Sequence, residues 1–544
     1  MLKRHRWWRI LGALLAFSLI AAACGDSDDG DGATETETED TAAEATATTE
    51  EEEAGGQIKA DDAFTTTTAA ADATTTSAAP EPENLDDLLA KWARERAVIV
   101  DRILDGIEND GWGIDDDNIL HGAAGFEIDL NDCPEDWDNY NGISDDEIRH
   151  GNTTVMSGTL AAYGNIAFGQ EALFEWINDN LDGVNGRHLN LILRDDGYVA
   201  AQTIEFVNEL IESENVFSLT TLGSPNTLAV YDQINDECIP QPFVQTAHPA
   251  WGDPVNHPWT FGNDLSYSSE AILWGGWIES NAAEQGLTLP VKVAGLVMDN
   301  DFGAAYEATF EEWSHANPDV VSEFVNVRHD PAAPTLTNEM TTIAASEPDV
   351  FISMTAGNAC LMAIQEAERA GLIESVPVLF NNQTCKSVGA YMTPAGDAAN
   401  DWWIVGGAFK DHLGDSNFRQ EPYAQWMIEV LEGADLDPDV SLLGWGWRYG
   451  WGMWQIMQIA DELPGGLNRT NYIMAVRTFD MNHPSFLSGI EFGLNGNEDA
   501  YYLEASEISR FDSAKQAWIQ IGGVIDLNGT SPNCAWDKDK GGCS

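Results

Sequence analysis

Between Gly142 and Tyr198 the spacing of apolar residues changes period twice. Residues 153–156 predict a strand and Ser157-Gly158-Thr159 a turn. Leu173, Trp176, Ile177 and Leu181 then recur at i, i+3, i+4 and i+8, one face of an amphipathic helix. Gly183-Val184-Asn185-Gly186 stops that helix, and residues 189–193 predict the next strand. Strand, helix and strand in this order form a βαβ unit, which implies a parallel sheet. Ligands bind such sheets outside the carboxyl ends of the strands, so the 157–164 turn is a candidate binding loop.

The alternation continues. Helix 201–213 leads to strand 216–222, and helix 227–234 to strand 242–244. After Phe261-Gly262-Asn263 a second series begins with strand 291–298, helix 304–316 and strand 320–327. Helix 336–345, strand 350–355, helix 358–370 and strand 376–380 complete it. Two βα series predict an α/β protein of two lobes, and residues 142–526 are ample for two cores. Before them, residues 85–108 follow the helical period behind Asn84 as a cap, and 109–141 read as an irregular lead-in. Trp447, Trp451 and Trp454 stand at i, i+4 and i+7, which places them on the core face of a helix. Gly444, Gly446 and Gly450 lack the spacing of a dinucleotide loop.

The ends of the chain add export. Lys3, Arg4, Arg6 and Arg9 precede an apolar run from 11 to 20 and then Ala21-Ala22-Ala23-Cys24, a secretory signal with a lipobox-like Cys. Residues 1–24 are expected to be a lipoprotein signal peptide, with Cys24 lipidated as the anchor to the outer face of the membrane. Residues 25–84 are Ala, Thr, Asp, Glu and Gly with almost nothing apolar, an acidic tether expected to be disordered. As a coil it would span roughly 40–45 Å. The formal net charge of −66 is not confined to the tether, and so acidic a surface argues against nucleic acid as a partner.

Seven cysteines minus Cys24 leave six, an even number in an exported chain. Cys534 and Cys543 can close a small terminal loop. Cys360 and Cys385 each follow a strand, and neighbouring parallel strands would bring them to one sheet edge. Cys133 and Cys238 pair by elimination. No C-x-x-C or H-x3-H spacing supports a metal site, and the Asp115-Asp116-Asp117-Asn118 cluster lacks the Gly and Glu offsets of a calcium loop. There is no G-x-S-x-G, H-E-x-x-H or Walker A loop, so nothing argues for catalysis or a cofactor.

The ordered series Met156-Ser157-Gly158, Ala162-Tyr163-Gly164, Gly183 to Arg187, Asp195-Asp196, Leu222-Gly223-Ser224 to Thr227, His257 to Phe261 and Asp299 to Gly303 resembles one family. It is that of the Leu/Ile/Val-binding proteins of ABC importers, with a type I periplasmic-binding fold. The resemblance implies two lobes linked by three crossings, near Gly262, 405–408 and 481–488. Lobe 1 would then comprise 142–262 and 406–483, lobe 2 263–405 and 484–528, and 529–544 a C-terminal tail. It also implies a monomer that delivers a small solute to ABC permease subunits by hinge closure. A sensor of the same fold, or a secreted enzyme, are the alternatives.

Carried over residue by residue, the resemblance puts the ligand carboxylate at Ser224, beside Gly223 at a helix N-terminus, where backbone N–H groups suit an anion. Thr246, Ala247 and His248 form the second loop, Ser157 and Tyr163 the first, and Tyr163 and Phe302 supply the covering aromatics. The loop after the 376–380 strand reads Asn381-Asn382-Gln383-Thr384, without the acid that pairs a ligand ammonium in the family. Either Asp299 or Asp301 substitutes, or the solute is not a standard α-amino acid.

Overall fold

The computed structural model describes residues 82–543 apart from 530, 538, 539 and 541. The signal peptide, the lipidation of Cys24 and the expected 25–84 tether as far as residue 81 lie outside the described residues. Helix α1 (Leu85–Asp105) opens on Asn84, whose side chain accepts from the Asp87 amide at 3.0 Å. Its apolar face buries Leu88, Trp92, Ile99 and Ile103. The lead-in then forms three short antiparallel strands, and Asp115 accepts from the amides of Asp117 and Ile119 to close their first turn.

The first sheet is built from β1 (Glu147–Thr154), β2 (His188–Asp195) and β3 (Ser218–Thr221), parallel and in the order β2-β1-β3. Helices α2 (Gly164–Leu181), α3 (Ala200–Glu212) and α4 (Ser224–Asp236) make the connections. Strand β1 starts six residues before the sequence pattern suggests, because His150, Asn152, Thr153 and Thr154 are buried although polar. The expected 242–244 strand is not regular. Residues 240–245 run beside β3 through the single parallel bridge Leu222–Gln245, but Phe243 has φ 49°, outside extended backbone.

Helix α5 (Tyr267–Asn281) carries the chain into the second layer system, with β4 (Val291–Met298), α6 (Asp301–Ala316), β5 (Val321–His329), α7 (Thr337–Ala345), β6 (Val350–Met354), α8 (Asn358–Arg369), β7 (Val378–Asn381) and β8 (Trp403–Val405). These strands lie parallel, and β9 (Ile508–Asp512) and β10 (Ala517–Gln520) extend the sheet antiparallel, in the order β10-β9-β8-β7-β6-β4-β5. The sequence pattern misses α5 for a physical reason. Every residue from Tyr267 to Ile278 is buried, so no polar stripe marks the helical period.

Between β8 and β9 the chain adds α9 (Pro422–Gly433), α10 (Leu442–Asp461) and α11 (Arg469–Val476) to the first lobe. The glycines of α10 explain themselves here. A Cβ on Gly446 would stand 1.9 Å from the Ile166 carbonyl oxygen, and one on Gly169 1.9 Å from that of Leu443. The two helices touch backbone to backbone. Trp447, Trp451 and Trp454 are buried as the spacing predicts. Trp451 lies 5.6 Å from Trp92, and Trp447 4.6 Å from Trp426, so one aromatic cluster binds α1, α9 and α10 together. The expected third crossing near 481–488 falls in a segment whose Phe492 and Tyr502 rings pack 6.3 and 5.1 Å from Phe243 of the first lobe, and pairing with the second sheet begins only at β9. Cys133–Cys238, Cys360–Cys385 and Cys534–Cys543 are all disulfide-bonded.

Candidate functional site

The carboxyl ends of both parallel sheets face one cleft, with about 590 Å³ of atom-free space, part of it open to solvent. Each loop arrives from a strand end. Tyr198 follows β2, Gly223 follows β3, Thr246 and Ala247 follow the irregular 240–245 segment, Phe302 follows β4, and Gln383 follows β7. The walls are largely aromatic, with Tyr163, Tyr198, Tyr267, Phe302, Phe409 and Trp445 among the lining residues.

Six of the nine residues expected from the sequence line this cleft: Tyr163, Gly223, Thr246, Ala247, Phe302 and Gln383. Ser224 sits one layer behind. It is fully buried, and its hydroxyl lies 2.7 Å from that of Thr246, which in turn lies 3.3 Å from the Tyr267 hydroxyl. Ser157 is exposed outside the lining, on a loop whose Met156 amide donates to Asp195 at 2.8 Å. His248 is turned away. Its ring packs 4.7 Å from Trp536 of the C-terminal hairpin, and burial pulls its imidazole down to about 3.

The lobes meet across the mouth. The Gly357 amide donates to the Tyr163 hydroxyl at 2.8 Å, and the Thr159 hydroxyl to the Pro331 carbonyl at 3.2 Å. Gly357 has φ 62°, and a Cβ there would stand 2.1 Å from Leu160, so this approach requires glycine. Tyr198, which the sequence did not single out, enters the cleft with φ 65°, held by a 2.9 Å bond from its amide to Asp196. Left-handed backbone on a bulky residue costs of order 1–3 kcal/mol and is found where geometry at a site demands it. Its ring also fixes Gly223, where a Cβ would stand 2.3 Å away.

Neither acid proposed as a substitute reaches the cleft. Asp299 pairs with Arg328 at 2.9 Å on the surface, and Asp301 is exposed. The acid that lines the cleft is Asp264, in the first crossing, and it contacts Arg448 of α10 at 2.5 Å. Sequence spacing could not join residues so far apart in the chain. Behind Gln383 lies Glu270 of α5, which accepts from the Gln383 amide at 2.8 Å and its side-chain nitrogen at 2.9 Å, with the Tyr306 hydroxyl at 2.5 Å. Burial pushes Glu270 up to about 8, so at neutral pH it is mostly uncharged. Among the described residues no cluster of three or more His, Cys, Asp or Glu could hold a metal.

Residues 147–415 match the family model described as periplasmic binding protein. The match covers just under half of the chain, 269 of its 544 residues. No curated protein sequence matches the chain. Solved structures with the same periplasmic-binding fold include a branched chain amino acid ABC transporter protein from Thermus thermophilus with bound valine, at TM-score 0.60 and 16% identity over 71% of this chain and 98% of that one. A fatty acid ABC transporter substrate-binding protein from Thermomonospora curvata aligns at 0.58 and 16% over 73% and 98%. A solute-binding protein of an ABC transporter from R. palustris in complex with benzoate aligns at 0.55 and 17% over 72% and 100%. At such identities the likeness establishes the two-lobed type I fold, and the chemistry of the cleft has to be argued from its own residues.

Proposed function

We propose that this chain is the extracytoplasmic solute-binding component of an ABC importer. It captures one small amphipathic solute between the lobes and presents the closed form to permease subunits. The observation that carries the reading is the cleft itself, at the carboxyl ends of two parallel sheets, walled by aromatics from both lobes and bridged across its mouth. A carboxylate or amide oxygen of the solute would approach Thr246 and the N-terminus of α4, with its apolar part against Tyr163 and Phe302. Closure is driven by the contacts that only the closed form makes, such as Tyr163 to Gly357.

The solute is not a free branched-chain amino acid by preference. The loop after β7 presents Gln383, backed by a mostly uncharged Glu270, where a full negative charge would be needed to pair an ammonium. The aromatic lining suits an apolar or aromatic body, and the solved structures of this fold include complexes with valine and with benzoate. Mass spectrometry of whatever co-purifies in the cleft, followed by calorimetric titration of that solute, tests the reading. Turnover of the bound molecule, or the absence of any bound or bindable solute, would sink it. Anchoring of a monomer through lipidated Cys24 belongs to the same proposal. Cys24→Ser should release the protein from the membrane fraction.

A further inference from the structure

Arg448 is buried in the cleft wall, with its guanidinium 4.3 Å from the centre of the Phe409 ring and 4.9 Å from that of Tyr449. Its side chain is 3% exposed, and its five N–H donors are poorly served. One terminal nitrogen donates to the Tyr449 hydroxyl at 3.0 Å, which passes the bond to Asp264 at 2.9 Å. The other is ion-paired with Asp264 Oδ1 at 2.5 Å, and Nε has no hydrogen-bond partner. The same end of the cleft also holds an acceptor without a donor, Gln383 Oε1, while the amide and side-chain nitrogen of Gln383 donate to Glu270 and Leu265.

The buried donor Nε of Arg448 and the buried acceptor Oε1 of Gln383, both left without a partner, ask for a group that is donor and acceptor at once. A carboxylate could answer only Arg448, and would add a second negative charge beside Asp264. An ammonium could answer only Gln383 Oε1, and would sit against the guanidinium. A neutral hydroxyl or primary amide answers both sides at no charge cost. We propose that Arg448, held in place by Asp264, and Gln383 form a second, specificity-determining pole of the cleft, which takes a neutral hydroxyl or carboxamide of the solute. The pole lies between crossings, Asp264 on the first and Phe409 just after β8, so a solute that fills it is read by the segments that bend on closure. This assignment rests on the solute-binding reading above and names the solute as an apolar or aromatic body with polar groups at both ends.

The test uses a probe series that keeps one carboxylate and varies the opposite end: benzoate, 4-hydroxybenzoate, 4-carbamoylbenzoate, terephthalate and 4-(aminomethyl)benzoate. Calorimetric titration of the mature protein should give the hydroxyl and carbamoyl acids an advantage of about tenfold or more over the other three, since sites built to bond an OH or NH reject analogues that lack it. In the double variant Arg448→Met/Asp264→Leu, which removes both charges together, the advantage should shrink to within about threefold. The ratio of affinities is the readout, because a merely structural pair would weaken all five alike. The wild-type series stands alone if that variant does not fold. Equal affinities across the series, or a preference for terephthalate or the aminomethyl acid, would overturn the assignment while leaving the solute-binding reading intact. Failure of all five to bind would also overturn it. The solute-binding reading is then judged separately, by whether any solute is recovered from the purified protein.

Discussion

The two lobes share a topology and differ in what fills their interiors. In the first, β1 buries His150, Asn152, Thr153 and Thr154 side by side, with His150 Nδ1 2.9 Å from Ser218 Oγ and the Asn152 amide 3.4 Å from Gln170. In the second, the matching central strands bury Val293, Leu296, Val297, Ile352, Met354 and Phe380. An apolar sheet is held by area and is indifferent to pH. A polar one depends on each hydrogen bond and on His150 staying neutral. The first lobe compensates outside its sheet, through the tryptophan cluster and the backbone contact of α2 with α10. Burial acts on titratable groups by charge type in both lobes, lowering His329 of the second as well and raising Asp196 of the first. Burial pulls His150 and His248 of the first lobe down to about 3, whereas around the second lobe it pushes Glu270 up to about 8 and Asp415 up to about 7.

If the first lobe leans on that helix contact, breaking it should have the largest effect. Gly446→Ala drives a methyl into the Ile166 carbonyl, where backbone and not a side chain must give way. We expect a loss of about 3 kcal/mol, the upper end of ordinary overpacking. Gly396→Ala near the second lobe's edge has open space around it but φ 64° and ψ −135°, and should cost less, about 2 kcal/mol, through backbone strain alone. Urea denaturation compares them, and equal losses would mean that α2 and α10 can slide apart cheaply.

Two buried groups, His150 in the first lobe and Glu270 beside the second, should give opposite pH dependences. His150 is held near 3 when folded against 6.5 as its ordinary value. The unfolded chain therefore binds the extra proton, and its contribution, full above 6.5, is lost as pH falls toward 3, by about 2 kcal/mol on reaching pH 5. Glu270 runs the other way. Its folded value of about 8 against 4.5 means the folded state holds the proton, so its contribution is present below 4.5 and lost as pH rises through 8. Hydrogen exchange resolved by peptide should show β1 and β3 losing protection as pH falls below 6.5, and α5 with the Gln383 loop losing it as pH rises from 4.5 to 8. His150→Asn should flatten the fall below pH 6.5 and Glu270→Gln the one between pH 4.5 and 8. An acid limb unchanged in His150→Asn would place the sensitivity elsewhere.

What was legible in the sequence follows the same division. Strand β4 stands out within its lobe because its residues are apolar and its neighbours are not, so its limits are the ones the pattern predicts. Strand β1 was half hidden, since Glu147-Ile148-Arg149-His150 reads as surface until Ser218 and α2 are seen to cover it. Helix α5, buried all round, had no pattern to show. In the cleft, residues at strand ends could be named in advance, because the fold fixes where such loops point. Tyr198, Asp264 and Arg448 could not. Tyr198 depends on a left-handed backbone turn, and Asp264 and Arg448 meet only through the packing of a crossing against α10.

The smallest expected effect sharpens the comparison within the cleft. The Ser224 hydroxyl lies against Thr246 and is not among the lining residues, so it acts on a solute only by orienting the Thr246 hydroxyl. Ser224→Ala should therefore cost about 1 kcal/mol, the net worth of one ordinary hydrogen bond, or roughly fivefold in affinity. Thr246→Val removes the hydroxyl that faces the cleft and should cost more, about 1–3 kcal/mol, because a solute oxygen is then left without its donor. The second lobe supplies the contrast. Phe302 stacks edge-on against Tyr267 at 4.9 Å and offers a solute area and no hydrogen bond, so Phe302→Leu should weaken binding without changing the preference between a carboxylate and its uncharged analogue. Calorimetry with the solute recovered from the cleft measures all three. A larger loss for Ser224→Ala than for Thr246→Val would mean that the buried hydroxyl, and not its neighbour, meets the solute once the cleft is filled.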